Sequence, residues 1–141
     1  MLSLQEIERI IDKQECTFIA SHGEDGYPYM KAMLRHRERK GLKEFYFTTN
    51  ASALRTGHYR VNPCASIYYT QKGPVRYIGI LFMGKMEILV DQEIKSRIWR
   101  TGDHMFYCKG ITDPDYCVLK FTAESGRCYC DLQTDNFTIP E

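Results

Sequence analysis

The chain has 141 residues, of which 43% are hydrophobic and 26% charged, and its 19 Lys+Arg against 18 Asp+Glu give a formal net charge of +1. That length and composition suit a single globular domain over residues 1–141. The near-neutral balance excludes the one-sided basic excess of a nucleic-acid-binding face, and no apolar run approaches the roughly 20 residues of a membrane-spanning helix.

Met1-Leu2-Ser3 leads directly into an amphipathic segment with no apolar secretory core, so a cytoplasmic protein is expected. Its six cysteines, Cys16, Cys64, Cys108, Cys117, Cys128 and Cys130, are then expected as reduced thiols. No pair has CxxC spacing, and Cys128 and Cys130 share one face of a strand, so no metal site is expected.

Ser3 and Glu6 form a capping box ahead of Leu4, Ile7, Ile10 and Ile11, which predicts a helix from Ser3 to about Lys13. Cys16 to Ser21 reads as a strand, and Asp25-Gly26 as the turn of a hairpin. Pro28 fits only an edge strand or the start of a strand, and Tyr29 to His36 continues that strand. Glu38 to Lys43 reads as a polar turn, and the cluster Lys31, Arg35, Arg37, Arg39 and Lys40 as a solvated hairpin. His36 reads as a histidine on that hairpin's surface.

The stretch Glu44 to Tyr69 is the most informative. Phe45 to Thr48 is a strand; Thr48-Thr49-Asn50-Ala51-Ser52 is a polar turn; a short helix carries Arg55; Asn62-Pro63 ends it, because the residue before proline is pushed out of the α region. A further strand spans Ala65 to Thr70. The turn supports two readings. It can cap the helix. It can also hold a phosphate, through free N–H groups at the helix start, the hydroxyls of Thr48, Thr49 and Ser52, and the Arg55 fork.

Val75 to Val90 is a long apolar strand whose Gly79 and Gly84 suggest bends or bulges. Asp91 caps a third helix with Ile94, Ile98 and Trp99 on its buried side. Two last strands, Tyr116 to Thr122 and Arg127 to Leu132, precede a polar tail from Gln133 to Glu141 that is expected to fray or dock on a partner. Six or seven strands joined mostly by hairpin-length links, with three short helices, predict a mostly β (α+β) antiparallel sheet curled into a barrel.

Taken in order, several of these pieces resemble one family. They are the first helix, Asp25-Gly26-Tyr27-Pro28, the strand through Met33, Phe47-Thr48-Thr49-Asn50 with Ser52, Asn62-Pro63, Gly84-Lys85-Met86-Glu87-Ile88 with Asp91, Trp99, and Asp113-Pro114-Asp115-Tyr116. Nearly the whole chain is similar to the pyridoxamine 5'-phosphate oxidase-like flavoproteins, the FMN-binding split barrels, in particular the short general stress protein 26-like branch.

The resemblance implies a split barrel and a homodimer with FMN in the cleft between subunits. The second strand, here Lys31, Ala32, Met33 and Leu34, would lie along the flavin ring. Thr48, Thr49, Ser52 and Arg55 would hold the phosphate. Tyr69 would face the flavin edge unless it packs in the core, and Trp99 or Tyr107 would approach the ring from the partner. The chain departs from the pattern where the usual phosphate-binding lysine, two residues after the serine, is Leu54; Arg55 follows one residue later. The residues by which true pyridoxamine-phosphate oxidases hold their substrate are not recognisable.

The implied activity is that of an FMN-dependent oxidoreductase, flavin reductase-like and redox or stress related, with a reduced nicotinamide as electron donor. No acid–base constellation marks a catalytic residue. The alternatives are a flavin-binding or sensing protein without turnover, or a relative of the same fold that binds haem or a deazaflavin, with His58 or His104 as axial ligand.

Overall fold

The computed structural model describes residues 2–74 and 76–141. Met1 and Val75, the expected start of the long strand, lie outside the described residues.

The first helix, α1 (Leu4–Lys13), carries the predicted capping box: Glu6 N–H donates to Ser3 Oγ at 3.1 Å and Ser3 N–H to Glu6 Oε2 at 2.7 Å. Ile7, Ile10 and Ile11 are buried against the sheet, each contributing about 1.5–3 kcal/mol.

Eight strands form one antiparallel sheet: β1 (Cys16–His22), β2 (Pro28–Leu34), β3 (Glu38–Lys40), β4 (Glu44–Asn50), β5 (Cys64–Lys72), β6 (Tyr77–Leu89), β7 (Tyr116–Cys130) and β8 (Gln133–Phe137). Their order is β2-β1-β5-β6-β7-β4-β3, with β8 also on β7. Helix α2 (Leu54–Val61) joins β4 to β5, and α3 (Gln92–Ile98) follows β6. Pro28 opens β2 at the sheet edge, where its missing N–H costs no ladder bond.

Three departures from the expected elements have physical causes. Glu38–Lys40 is a strand rather than a polar turn, because it pairs with β4 while its side chains reach α1 and α3. The two expected last strands are one, β7, interrupted only by a bulge. Met83 opposes Ser125 and Gly84 opposes Ala123, which leaves Glu124 as the extra residue. The tail does not fray: Gln133–Phe137 pairs with β7, Phe137 packs on Phe82, and Ile139 is buried in the core.

At the bulge the strands approach closely. A Cβ on Gly84 would lie 2.0 Å from the backbone oxygen of Thr122. Gly84→Ala is therefore expected to lower stability by about 1–3 kcal/mol or more. Urea denaturation checks this; an unchanged midpoint would mean that β6 and β7 separate freely there.

The main core lies inside the sheet around Phe45, Phe47, Ile67, Tyr69, Ile80, Phe82 and Phe121. A second cluster lies outside it, where α3 and the following 3-10 turns cover β4 and β7 through Tyr46, Ile94, Ile98, Tyr107, Tyr116 and Val118.

The path from β2 to β4 opens the barrel. Arg35 N–H still donates to Glu15 beside β1, but Arg37 N–H donates to Tyr46 of β4. The chain passes from one end of the sheet order to the other within three residues. This leaves β2 and β4 facing each other without a ladder between them.

His36, at this crossing, is buried rather than on a hairpin surface. Its Nε2 lies 2.9 Å from Asp12 Oδ1 and its Nδ1 2.8 Å from the Tyr69 hydroxyl. A neutral ring that donates to Asp12 and accepts from Tyr69 satisfies all three groups. Burial pushes the imidazole pKa down, and this outweighs the upward pull of Asp12. As pH falls below about 6.5, the unfolded chain therefore takes up this proton before the folded one does. Stability that is present above that pH should fall between about pH 7 and 5.5. Denaturation of wild type and His36→Gln at both pH values tests it: the variant should lose part of the drop, and an identical drop would contradict the assignment.

Candidate functional site

The gap between β2 and β4 forms a groove of about 290 Å³, at the lower end of the roughly 300–1,000 Å³ of small-molecule sites. Its walls are Lys31, Ala32, Met33 and Leu34 from β2, Thr48, Thr49 and Asn50 from β4, and Arg55 from α2. Arg37, Asp103, Phe106 and Tyr107 close the other side.

Thr48 and Thr49 belong to β4, which runs on to Asn50, so the turn is confined to residues 51–53. Arg55 stands in the first turn of α2, half-buried, and its Nη2 donates to Thr49 Oγ1 at 2.7 Å. Burial pushes the Arg55 guanidinium down from its ordinary value, and among the described residues no carboxylate pairs with it. Its Nε is buried and bonds to none of the described residues. A buried donor on a cation without a partner is costly unless an anion meets it.

The capping reading of the turn is not realised. The N-cap of α2 is Ala53, and no side chain caps the helix. Thr56 Oγ1 donates to the Asn50 carbonyl, and Asp115 takes the neighbouring donors. Asn50 Nδ2 reaches Asp115 Oδ2 at 2.7 Å, and Ser52 N–H reaches Oδ1 at 2.8 Å. These bonds, with that of Asn50 the strongest, hold the Asp115 carboxyl below its usual range. Asp115 thus clamps the turn between β4 and the uncapped start of α2, from which Arg55 reaches the groove.

Three of the residues expected at the cofactor do not line the groove within one chain, although Trp99 was expected to reach the ring only from a partner. Ser52 is exposed beyond the groove wall, its N–H bound to Asp115. Tyr69 points into the barrel, fully buried among Phe45, Phe82 and His36. Trp99 packs on Tyr107 and Tyr116 beside the second cluster.

Arg37, Asp103 and Phe106 are groove residues that the sequence pattern does not mark. Arg37 is not part of a solvated hairpin: its Nη1 and Nη2 donate to the two Asp103 oxygens at 2.8 and 2.9 Å. Their side chains are only 11% and 7% exposed. This pair sets a charge-matched guanidinium in the groove wall. Alternation of basic residues through Arg35, Arg37 and Arg39 is the available signal, but the partner of Arg37 lies 66 positions away.

The two histidines considered as haem ligands are placed differently. His58 is buried, with Nδ1 2.8 Å from Ser21 Oγ and its ring against Tyr29. It lines a side cavity of about 120 Å³. His104 is exposed in a 3-10 turn beyond α3. Among the described residues no three His, Cys, Asp or Glu side chains gather as metal ligands, and no helix is long and apolar enough to cross a membrane.

The pyridoxamine 5'-phosphate oxidase family model matches residues 3–130. The chain belongs to the pyridoxamine 5'-phosphate oxidase family. A protein from Clostridium acetobutylicum, related to general stress protein 26 of Bacillus subtilis and placed in the pyridoxinephosphate oxidase family, is 33% identical. It matches with a TM-score of 0.84 over 96% of this chain and 94% of its own. General stress protein 26 of Bacillus anthracis shares the fold at 18% identity, with a TM-score of 0.74 over 95% of this chain and 98% of its own. A heme binding protein from Mycobacterium smegmatis also shares it, at 16% identity and a TM-score of 0.75, over 98% of this chain and 59% of its own. None of the curated proteins matches. Within this oxidase-family fold, the β2–β4 groove sets the strand Lys31 to Leu34 opposite the Arg55 cation bonded to Thr49.

Proposed function

We propose that this protein binds FMN in the β2–β4 groove and acts as an oxidoreductase that accepts electrons from a reduced nicotinamide. The observation that carries this reading is the Arg55 guanidinium. It is half-buried at the uncapped start of α2, tied to Thr49, and has a buried Nε that nothing among the described residues satisfies. A phosphate is a dianion that Arg binds through two parallel N–H bonds.

FMN supplies the hydride and electron chemistry itself; the protein binds, orients and shields it. Arg55 and Thr49 would hold the phosphate end, and the strand Lys31 to Leu34 would line the ring. Arg37, fixed and charge-matched by Asp103, would close the far side of the groove with Phe106 and Tyr107.

A second copy of the chain would complete the site. Leu34 and Phe106 in the groove, and Met30 and Leu54 in the side cavity that shares Lys31 and Arg55 with it, are between 64% and 72% exposed, apolar surface of the kind that marks an interface. In such a homodimer the partner's surface would cover the open side of the groove.

A visible spectrum of the purified protein reconstituted with FMN, followed by anaerobic addition of reduced nicotinamide, tests the function. Flavin bands that bleach on addition support an oxidoreductase. Flavin bands that persist through the addition would reduce the protein to a flavin binder. A Soret band acquired from haem in place of flavin bands would move it to the haem-binding alternative.

A further inference from the structure

The side cavity of about 120 Å³ lies where α2 covers β1 and β2, and it shares Lys31 and Arg55 with the flavin groove. Two buried polar side chains line it, Ser21 and His58, 5% and 7% exposed. His58 Nδ1 lies 2.8 Å from Ser21 Oγ, and among the described residues Nε2 has no partner. Nε2 is not sealed in the core either, so this nitrogen meets the cavity. A buried imidazole normally has both nitrogens satisfied.

The charges around the ring come from three places. Arg55 and His58 stand three residues apart on α2 and so share one face of the helix. Lys31 reaches the cavity from β2. Among the described residues neither cation pairs with a carboxylate. One acid faces the ring, Asp25 in the turn between β1 and β2. It is exposed and accepts the Tyr29 hydroxyl, and the Tyr29 ring leans on His58 at 4.7 Å between centroids. Helix α2 also packs on β6, which gives the cavity no charged group. Two cations against one screened carboxylate disfavour a charge on the imidazole. A phosphate dianion at Arg55 reverses that field, because it carries one charge more than the guanidinium.

We propose that His58 gains a proton from solvent when the FMN phosphate settles at Arg55, so that flavin binding is proton-coupled through the Ser21–His58 pair. An opposite charge within about 4–6 Å favours the charged form of a titratable group. Ser21 suits the role. A hydroxyl can donate to a neutral ring nitrogen and accept from a charged one, so it holds the ring in either state. The inference rests on the proposed FMN site and adds a partner on the far side of the phosphate.

Calorimetric titration with FMN, in buffers of different ionisation enthalpy at pH 7.5, counts the protons. The wild type should take up about half a proton or more per FMN beyond the H58Q variant. The second ionisation of the phosphate, near pH 6, contributes equally to both. Riboflavin, which lacks the phosphate, should show no such difference. The wild type should also bind FMN about three- to ten-fold more tightly than H58Q at pH 7, and equally by about pH 9. If H58Q does not fold, the ring ¹⁵N shifts of the wild type decide: FMN should move those of His58 to the imidazolium position at pH 7.5. Equal proton uptake by the two proteins, or His58 shifts unmoved by FMN, would overturn the proposal and leave the flavin site standing. A wild type that binds no FMN would overturn both.

Discussion

Arg55→Ala is expected to weaken FMN binding by about 1.5–3 kcal/mol, which corresponds to roughly 10- to 150-fold in Kd. The magnitude is that of one hydrogen-bonded charge pair. Arg55 reaches the groove from the first turn of α2, and among the described residues only Thr49 accepts a bond from it. Its removal leaves the phosphate with the helix N-terminus and the Thr49 hydroxyl alone. The fold should tolerate the change, because Arg55 is half-buried and its Nε bonds to none of the described residues. Fluorescence-quenching titrations of the two proteins measure the difference. Arg55→Lys should fall between them, since an ammonium keeps the charge but loses the planar fork. An Ala variant that binds FMN as tightly as wild type would remove Arg55 from the phosphate site.

The largest loss of stability is expected from Asp103→Ala. The Arg37–Asp103 pair is bidentate and almost closed to solvent. Truncating one partner of a buried pair leaves the other charge uncompensated and costs about 3–5 kcal/mol. Asp103 also accepts the backbone N–H of Arg100, so the segment after α3 should loosen as well. Replacing both members with apolar residues should cost much less than the single change. Urea denaturation of the single and double variants checks this, and a single variant within about 1 kcal/mol of wild type would contradict the role given to the pair.

The same pair predicts a pH dependence. Burial pushes the Asp103 carboxyl up, but the Arg37 fork and the Arg100 N–H together outweigh it and hold it below its ordinary value. The unfolded chain therefore binds this proton first, as pH falls below about 3.9. The stabilisation is fully present above that pH and is lost as pH falls through the lower folded value. Asp103→Asn should remove this part of the acid-induced loss.

The parts of the fold legible in the sequence rest on local rules. The capping box at Ser3 and Glu6, the stop at Asn62-Pro63 and the edge position of Pro28 each depend on neighbours a few residues apart, and each formed as expected. The β4 and α2 residues of the groove were readable because a strand followed by a short helix with a cation is compact in sequence, whereas Lys31 to Leu34 were expected there only through the family resemblance. The Asp103 partner of Arg37 was not readable, since tertiary folding alone joins residues 37 and 103. His36 and Arg39 looked solvated for the same reason: Asp12, which engages both, comes from α1. Strand β8 was hidden by its composition. Gln133 to Asn136 are polar, and the segment is fixed by Phe137 and Ile139 packing into the main core. Ser52 stands outside the groove lining, with its N–H held by Asp115 from far along the chain.

FMN titration of the purified protein, followed by fluorescence quenching and paired with the mass of the complex in solution, tests the central claim most directly. Saturable quenching with one FMN per chain, in a particle of twice the chain's mass, is the predicted result. A monomer that leaves FMN fluorescence unchanged at every protein concentration would contradict it.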